Sequence, residues 1–265
     1  MKLVKQARKG EAVMKTALIT GATSGIGMEF ARRYAALGYR LIVTGRRTER
    51  MEQLKEELEV PVEIYSYDLG KKKQCFELLE AIKDEDIDIF INNAGFGLAG
   101  AFLGTDIEKE VNMIKVNDIA MHILFKGILQ KMHENGHGHI LNVASSAGLL
   151  PAGPYMATYY ASKAYVTSLT RAVAMELKEM GSPVRVSALC PGPVDTEFNE
   201  RADVVFALKG ISANQCVDEA IRGIEKGKLI IVPSFTMKLA AIFLHLVPYP
   251  ILIKITGRQQ KKKLG

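Results

Sequence analysis

Short runs of aliphatic and β-branched residues recur along the chain at 16–20, 41–44, 62–67, 87–92, 140–144, 184–189 and 229–232. Each has the length and character of a strand buried on both faces. Between them the apolar positions fall three and four apart, the spacing of a helix that turns one face to a core. The stretches 26–37, 49–58 and 159–180 read as helices and stop where helices stop, at Gly38, ahead of Pro61 and at Gly181. Strand and helix in alternation predict parallel pairing through right-handed crossovers. The pattern therefore predicts a single-domain, doubly wound α/β protein with a parallel sheet of about seven strands and helices on both faces.

Only the ends depart from this pattern. Residues 1–13 are polar and basic and lack an apolar run, so they read as a disordered extension and not as a secretory signal. The α/β domain is expected over 14–235. From 239 to 255 the chain is almost wholly apolar, interrupted by His245, Pro248 and Pro250 and flanked by Lys238 and Lys254. A bilayer-spanning helix needs about 20 apolar residues, and two prolines break this run short. The segment 236–265, apolar then basic, is expected to cover a cleft or contact another subunit, with a weak peripheral membrane contact as the alternative.

Composition narrows the classes further. A chain of 265 residues, 48% hydrophobic, can bury one substantial core. The net charge of +6 is modest, and no aromatic residues interleave with the basic ones, so nucleic acid is not an expected partner. Cys75, Cys190 and Cys216 are odd in number and widely spaced, as in a reduced, cytoplasmic protein. His133, Glu134, His137 and His139 crowd together, but Asn135-Gly136-His137-Gly138 reads as a turn into a strand, and no metal site is expected there.

Candidate chemistry starts at the end of the first strand, in Thr20-Gly21-Ala22-Thr23-Ser24-Gly25-Ile26-Gly27. Gly21 permits a tight turn, while Gly25 and Gly27 let backbone lie close to a pyrophosphate at a helix N-terminus, where free amides and the dipole attract an anion. At the end of the second strand, where an acidic residue would bind the ribose of NAD, the chain has Thr44-Gly45-Arg46-Arg47. Without a carboxylate, and with a guanidinium to meet a 2′-phosphate, this position favours NADP(H) over NAD(H). Asp68, followed by Leu69, ends the third strand and can accept from an adenine amino group or simply shape a turn. Tyr159 and Lys163 lie four apart on a predicted helix, on one face, so a positive charge stands beside a phenol and is expected to lower its pKa. Tyr67 and Lys71 share that spacing but sit at a strand end and loop. Ser145 lies 14 residues before Tyr159, in Asn142-Val143-Ala144-Ser145-Ser146-Ala147-Gly148.

Together these residues resemble the short-chain dehydrogenase/reductase family, a Rossmann-type fold, over roughly residues 16–232. The glycine turn matches the family's cofactor motif, Asn92-Asn93-Ala94-Gly95 its fourth-strand motif, Asn117, Ser145, Tyr159 and Lys163 its catalytic tetrad, and Pro191-Gly192-Pro193-Val194-Asp195-Thr196 its segment after the sixth strand. The resemblance implies that Tyr159 is general acid in reduction and base in oxidation. It gives Lys163 the nicotinamide ribose, Ser145 the substrate oxygen, and Asn117 a water that relays protons. Asn93, Ala94 and Gly95 would pack near the ribose, and Pro191, Gly192, Val194 and Thr196 would hold the carboxamide. The serine-to-tyrosine interval is one residue longer than usual in the family, so either the loop at 149–154 carries an insertion or Ser146 is the active serine; Gly148 favours Ser145. The expected reaction moves a hydride between NADP(H) and a carbonyl or secondary alcohol. The rival is a binding module that senses the nucleotide without turnover. Segments 96–102, 149–158 and 198–215 would shape the substrate cleft, and their apolar character suggests a steroid, fatty or aromatic ketone or alcohol. The family commonly pairs through helices that fall here at 107–131 and 159–180, so a homodimer or homotetramer is expected.

Overall fold

The structure, a computed structural model, describes residues 14–197, 210–243 and 247–261; the predicted extension at 1–13 and most of the cleft segment at 198–215 lie outside them. Seven strands form one parallel sheet: β1 (Thr16–Thr20), β2 (Arg40–Gly45), β3 (Val62–Ser66), β4 (Ile89–Asn92), β5 (His139–Val143), β6 (Arg185–Leu189) and β9 (Ile230–Ile231), in the order β3-β2-β1-β4-β5-β6-β9. A separate parallel pair joins β7 (Val194–Asp195) to β8 (Ile211–Ser212). The helices are α1 (Gly25–Ala36), α2 (Thr48–Glu57), α3 (Lys72–Ala81), α4 (Ile107–Ile114), α5 (Met121–Asn135), α6 (Ala157–Glu179), α7 (Ala213–Glu225), α8 (Phe235–Phe243) and α9 (Tyr249–Lys261). The single-domain, doubly wound architecture is that predicted from the hydrophobic pattern, with strand ends shifted by a residue or two.

Strand residues alternate between two apolar layers because successive side chains leave opposite faces of the sheet. Ala17, Ile19, Leu41 and Val43 pack with Phe30, Tyr34 and Val217 on one side. Leu18, Ile42, Phe90 and Ile140 pack with Leu78, Leu124, Phe125 and Val166 on the other. Both layers are fully buried, which is why the strands read as continuous apolar runs.

Strand order reverses between β1 and β4, so the crevice for a ligand opens at their carboxyl ends. Asn93 ties that point together: its amide donates to the Thr20 carbonyl at 3.0 Å and the Gly21 carbonyl at 3.3 Å. The Thr20 hydroxyl in turn accepts from the backbone of Asn93 and Ala94 at 2.9 and 3.0 Å. Beneath, Asn92 donates to Asn142 at 3.1 Å and Asn142 to Thr170 at 3.0 Å. This buried amide chain fixes α6 against β4 and β5, since any break leaves a polar group without water or partner.

The tail forms two helices rather than one. Helix α8 ends before Pro248, and α9 starts just after it, with Pro250 tolerated in the first turn where its missing N–H is no loss. Among the described residues no helix is long and apolar enough to cross a membrane.

Candidate active site

A cleft of about 320 Å³ lies along the carboxyl edge of the sheet, within the usual size range of small-molecule sites. Its floor at one end is the glycine turn. Gly21 and Gly25 have φ of +69° and +55°, the left-handed region that disfavours a side chain. A Cβ on Gly21 would stand 2.9 Å from the Asn93 amide nitrogen. Ser24 caps α1 by position, but its side chain makes no capping hydrogen bond, leaving the first amides of the helix unspent. Free amides, a helix dipole and the absence of Cβ atoms fit the pyrophosphate of a dinucleotide.

Of the cofactor-binding candidates, Gly21, Thr23, Ser24, Gly25, Ile26, Arg46, Asp68, Leu69, Asn93, Ala94, Gly95, Pro191, Gly192, Val194 and Thr196 all line this cleft. Two of the cofactor-binding candidates do not. Gly27 is absent from the lining because it seats α1 on the turn: a Cβ there would fall 2.3 Å from the Gly21 carbonyl oxygen. Arg47 instead folds back onto Thr23, reaching its hydroxyl and carbonyl at 3.1 and 3.0 Å, and pairs with Glu197 at 3.0 Å. Arg50 pairs with the same carboxylate. Arg46 is thus the guanidinium that borders the cleft, while Arg47 braces the turn. Asp68 also shapes its own turn, accepting from the Gly70 amide at 3.1 Å.

Ser145, Tyr159 and Lys163 converge at the other end. Ser145 follows β5, and its hydroxyl accepts from the Ala147 amide at 3.1 Å and hydrogen-bonds the Tyr159 phenol. Ser146 borders the cleft but makes no such bond to Tyr159; its amide donates to the Pro191 carbonyl at 2.7 Å. The short 3-10 turn Ser146–Leu149 packs on α6 so closely that a Cβ on Gly148 would lie 2.3 Å from the Lys163 carbonyl oxygen. The Lys163 ammonium donates to the Val143 carbonyl at 3.0 Å and stands 5.9 Å from the centre of the Tyr159 ring.

The expected drop in the Tyr159 pKa is not what this geometry gives. Burial pushes the phenol up to about 12, against the opposing Ser145 hydrogen bond. Burial also pulls Lys163 down to about 8, because a charge away from water is costly. Burial dominates at both groups and holds the phenol protonated at neutral pH.

Asn117 is set back from the cleft. It sits in a π-helical segment, Lys115–Ala120, between α4 and α5, and it does not line the cleft. Its amide donates to the Phe96 carbonyl at 2.9 Å and to Ser162 at 3.1 Å, and its oxygen accepts from the Phe96 amide at 3.0 Å. The side chain thereby braces the loop after β4.

Four neighbours were not legible as site residues. Asp118, beside Asn117, has a buried carboxylate oxygen with no hydrogen-bond partner among the described residues; burial lifts it to about 6 while Lys163 pulls it down. Its position next to the tetrad asparagine was the one available signal. Gln259 and Gln260, with Met237, close the open side of the cleft, and Gln260 donates to the Tyr160 hydroxyl at 2.6 Å. Nothing in an apolar tail announces glutamines that meet a residue 100 positions earlier.

The comparisons agree with this geometry. A family model described as short chain dehydrogenase matches residues 15–204. An oxidoreductase of Staphylococcus epidermidis is 30% identical over 84% of this chain and 96% of its own length. The NADP-dependent 3-hydroxy acid dehydrogenase YdfG of Escherichia coli is 37% identical over 69% of this chain and 74% of its own. Among solved structures, a short-chain dehydrogenase from Sphingobium yanoikuyae in complex with NADPH is 30% identical, with a TM-score of 0.78 over 86% of this chain and 92% of that one. A glycine turn on α1, a serine and a tyrosine joined by a hydrogen bond, and a lysine beneath them recur here on a doubly wound sheet, and the chain belongs to the short-chain dehydrogenase/reductase family of oxidoreductases.

Proposed function

We propose that the protein is an NADP(H)-dependent carbonyl reductase or alcohol dehydrogenase acting on an apolar ketone or secondary alcohol. The observation that carries this reading is the Ser145–Tyr159 hydrogen bond set over Lys163, buried at the mouth of the cleft that the glycine turn opens. When bound, the dinucleotide supplies or accepts the hydride. Gly21, Thr23, Ser24, Gly25 and Ile26 hold its pyrophosphate, Arg46 the 2′-phosphate, Asp68 and Leu69 the adenine. Asn93, Ala94, Gly95 and Lys163 hold the riboses, and Pro191, Gly192, Val194 and Thr196 the carboxamide.

Tyr159 gives its proton to the carbonyl oxygen in reduction and removes it from the alcohol in oxidation. Ser145 donates to the same oxygen as negative charge grows there. Lys163 stabilises the phenolate that remains, an interaction strongest at the moment the proton has left. Asn117 acts through Phe96 and Ser162, holding the walls of the pocket. A module that only bound the nucleotide would have no need of this buried phenol.

Arg46, Asp68 and Lys163 are the only charged side chains bordering the cleft among the described residues. Phe96, Leu150, Met156 and Met237 supply its apolar surface, which supports an uncharged, apolar substrate. Exposed Ile114, Ile119 and Tyr165 on the α4 to α6 face support pairing of copies there. Initial rates on a panel of ketones with NADPH and with NADH test the reading. Arg46→Ala should raise the KM for NADPH about tenfold or more, the worth of a charge-assisted hydrogen bond, and leave NADH almost unchanged. Equal loss for both cofactors would end the assignment of Arg46 to the 2′-phosphate.

A further inference from the structure

Charge along the chain is unevenly divided. Eight of the 35 Lys and Arg residues, and none of the 29 Asp and Glu residues, lie between Lys226 and Gly265, so these last 40 residues carry +8 while the preceding 225 carry −2. The same segment holds large apolar side chains in contact with solvent. Phe235 is 73% exposed, Tyr249 67%, Ile251 51%, Ile255 44% and Leu239 40%.

Their placement on the two tail helices is regular. On α9, Leu252, Thr256 and Gln260 are buried at four-residue intervals and fasten the helix to the body, Thr256 through the Ala152 carbonyl at 3.1 Å. Ile251 and Ile255 form an outward apolar row, and Lys254 and Arg258 an outward basic row beside it. On α8, Phe235 and Leu239 share one exposed side. Between these helices and the rest of the fold runs a second groove, bordered by Arg171, Arg222, Lys226, Lys228, Lys238 and Tyr249. Only Lys238 has a carboxylate partner among the described residues, Glu219 at 2.6 Å.

We propose that the α8–α9 face docks on an anionic lipid bilayer, with Phe235, Leu239, Ile251 and Ile255 entering the acyl boundary and the surrounding lysines and arginines meeting lipid phosphates. Exposed apolar rows flanked by cations are what such a surface selects, each basic residue adding about 1 kcal/mol of attraction; the tail itself holds no acid, and Glu219, the one acid bordering the groove among the described residues, is paired with Lys238. A second protein copy would have to present an acidic face of matching size, and this chain carries only −2 outside the segment. Met237, Gln259 and Gln260 of the same two helices border the active cleft, so docking sets its mouth toward the membrane. The claim stands apart from the redox reading.

Full-length protein is floated with vesicles of phosphatidylcholine alone and of phosphatidylcholine mixed with phosphatidylglycerol. The protein should rise with the mixed vesicles only, and added salt should release it. Lys254→Gln with Arg258→Gln should lower partitioning roughly thirtyfold, without changing turnover of a soluble ketone. Phe235→Ser with Ile251→Ser should lower it as well. Failure of the wild type to float, equal flotation with neutral vesicles, or undiminished flotation of the Lys254/Arg258 variant would overturn the proposal. So would a wild type that stays off the vesicles while these substitutions lower its oligomeric mass, which assigns the face to another copy of the chain.

Discussion

At the scale of single residues, the two adjacent serines separate chemistry from scaffold. Ser145 bonds the Tyr159 phenol, whereas the Ser146 amide bonds the Pro191 carbonyl. Loss of one preorganised donor to a developing oxyanion costs about 10²- to 10³-fold in kcat. Ser145→Ala should therefore fall by that order and Ser146→Ala by about twofold at most; the reverse ranking in steady-state kinetics would move the active serine by one residue. The residues best read from the sequence were those whose chemistry is local. Gly21 and Gly25 announce backbone that a side chain would obstruct, and Tyr159 with Lys163 share a helix face at fixed spacing. Arg47 was misread because its partner, Glu197, lies 150 positions away. The pKa of Tyr159 was misjudged for a related reason: spacing reveals a neighbouring charge but not the depth of burial that outweighs it.

At the scale of elements, periodicity located strands and helices but could not show where a helix changes its winding. The π-helical segment at Lys115–Ala120 keeps the apolar spacing of its α-helical neighbours while turning Asn117 inward to Phe96. The β5–β6 seam carries a second hidden feature. His139 is buried, with Nε2 2.8 Å from the Ser187 hydroxyl, and burial with Arg185 nearby lowers its pKa to about 4. The native state thus holds this imidazole neutral, while the unfolded chain takes up a proton below about 6.5. Stability from this group is complete above pH 6.5 and is lost as pH falls toward 4, on the order of 3 kcal/mol. His139→Gln should flatten the fall in thermal midpoint between pH 7 and pH 4.5. Parallel curves for the two proteins would show that His139 does not set the acid limit.

At the scale of the whole molecule, the sheet order brings four distant segments to one edge: the turn after β1, the loop after β4, the strand end before Ser145 and the loop after β6. That convergence was legible because parallel strands connected by crossovers all point the same way. The tail was expected over the cleft or against another subunit, but which of its residues meet the cleft was not legible, because that depends on contacts such as Gln260 with Tyr160 that no local pattern encodes. Of the tail's side chains, Met237, Gln259 and Gln260 border the cleft, while Ile251 and Ile255 face solvent.

In the proposed function a buried phenol, held by Ser145 above Lys163, is the proton donor of an NADPH-linked reduction. The most direct test is NADPH oxidation followed at 340 nm with ketones, for the wild type and Tyr159→Phe, beside a fluorescence titration of NADPH into each. The account predicts turnover by the wild type, a loss of about 10²- to 10⁴-fold in the variant, and the same NADPH affinity in both. Turnover that survives the substitution within a few fold would contradict it, as would a wild type that binds NADPH tightly and reduces no carbonyl.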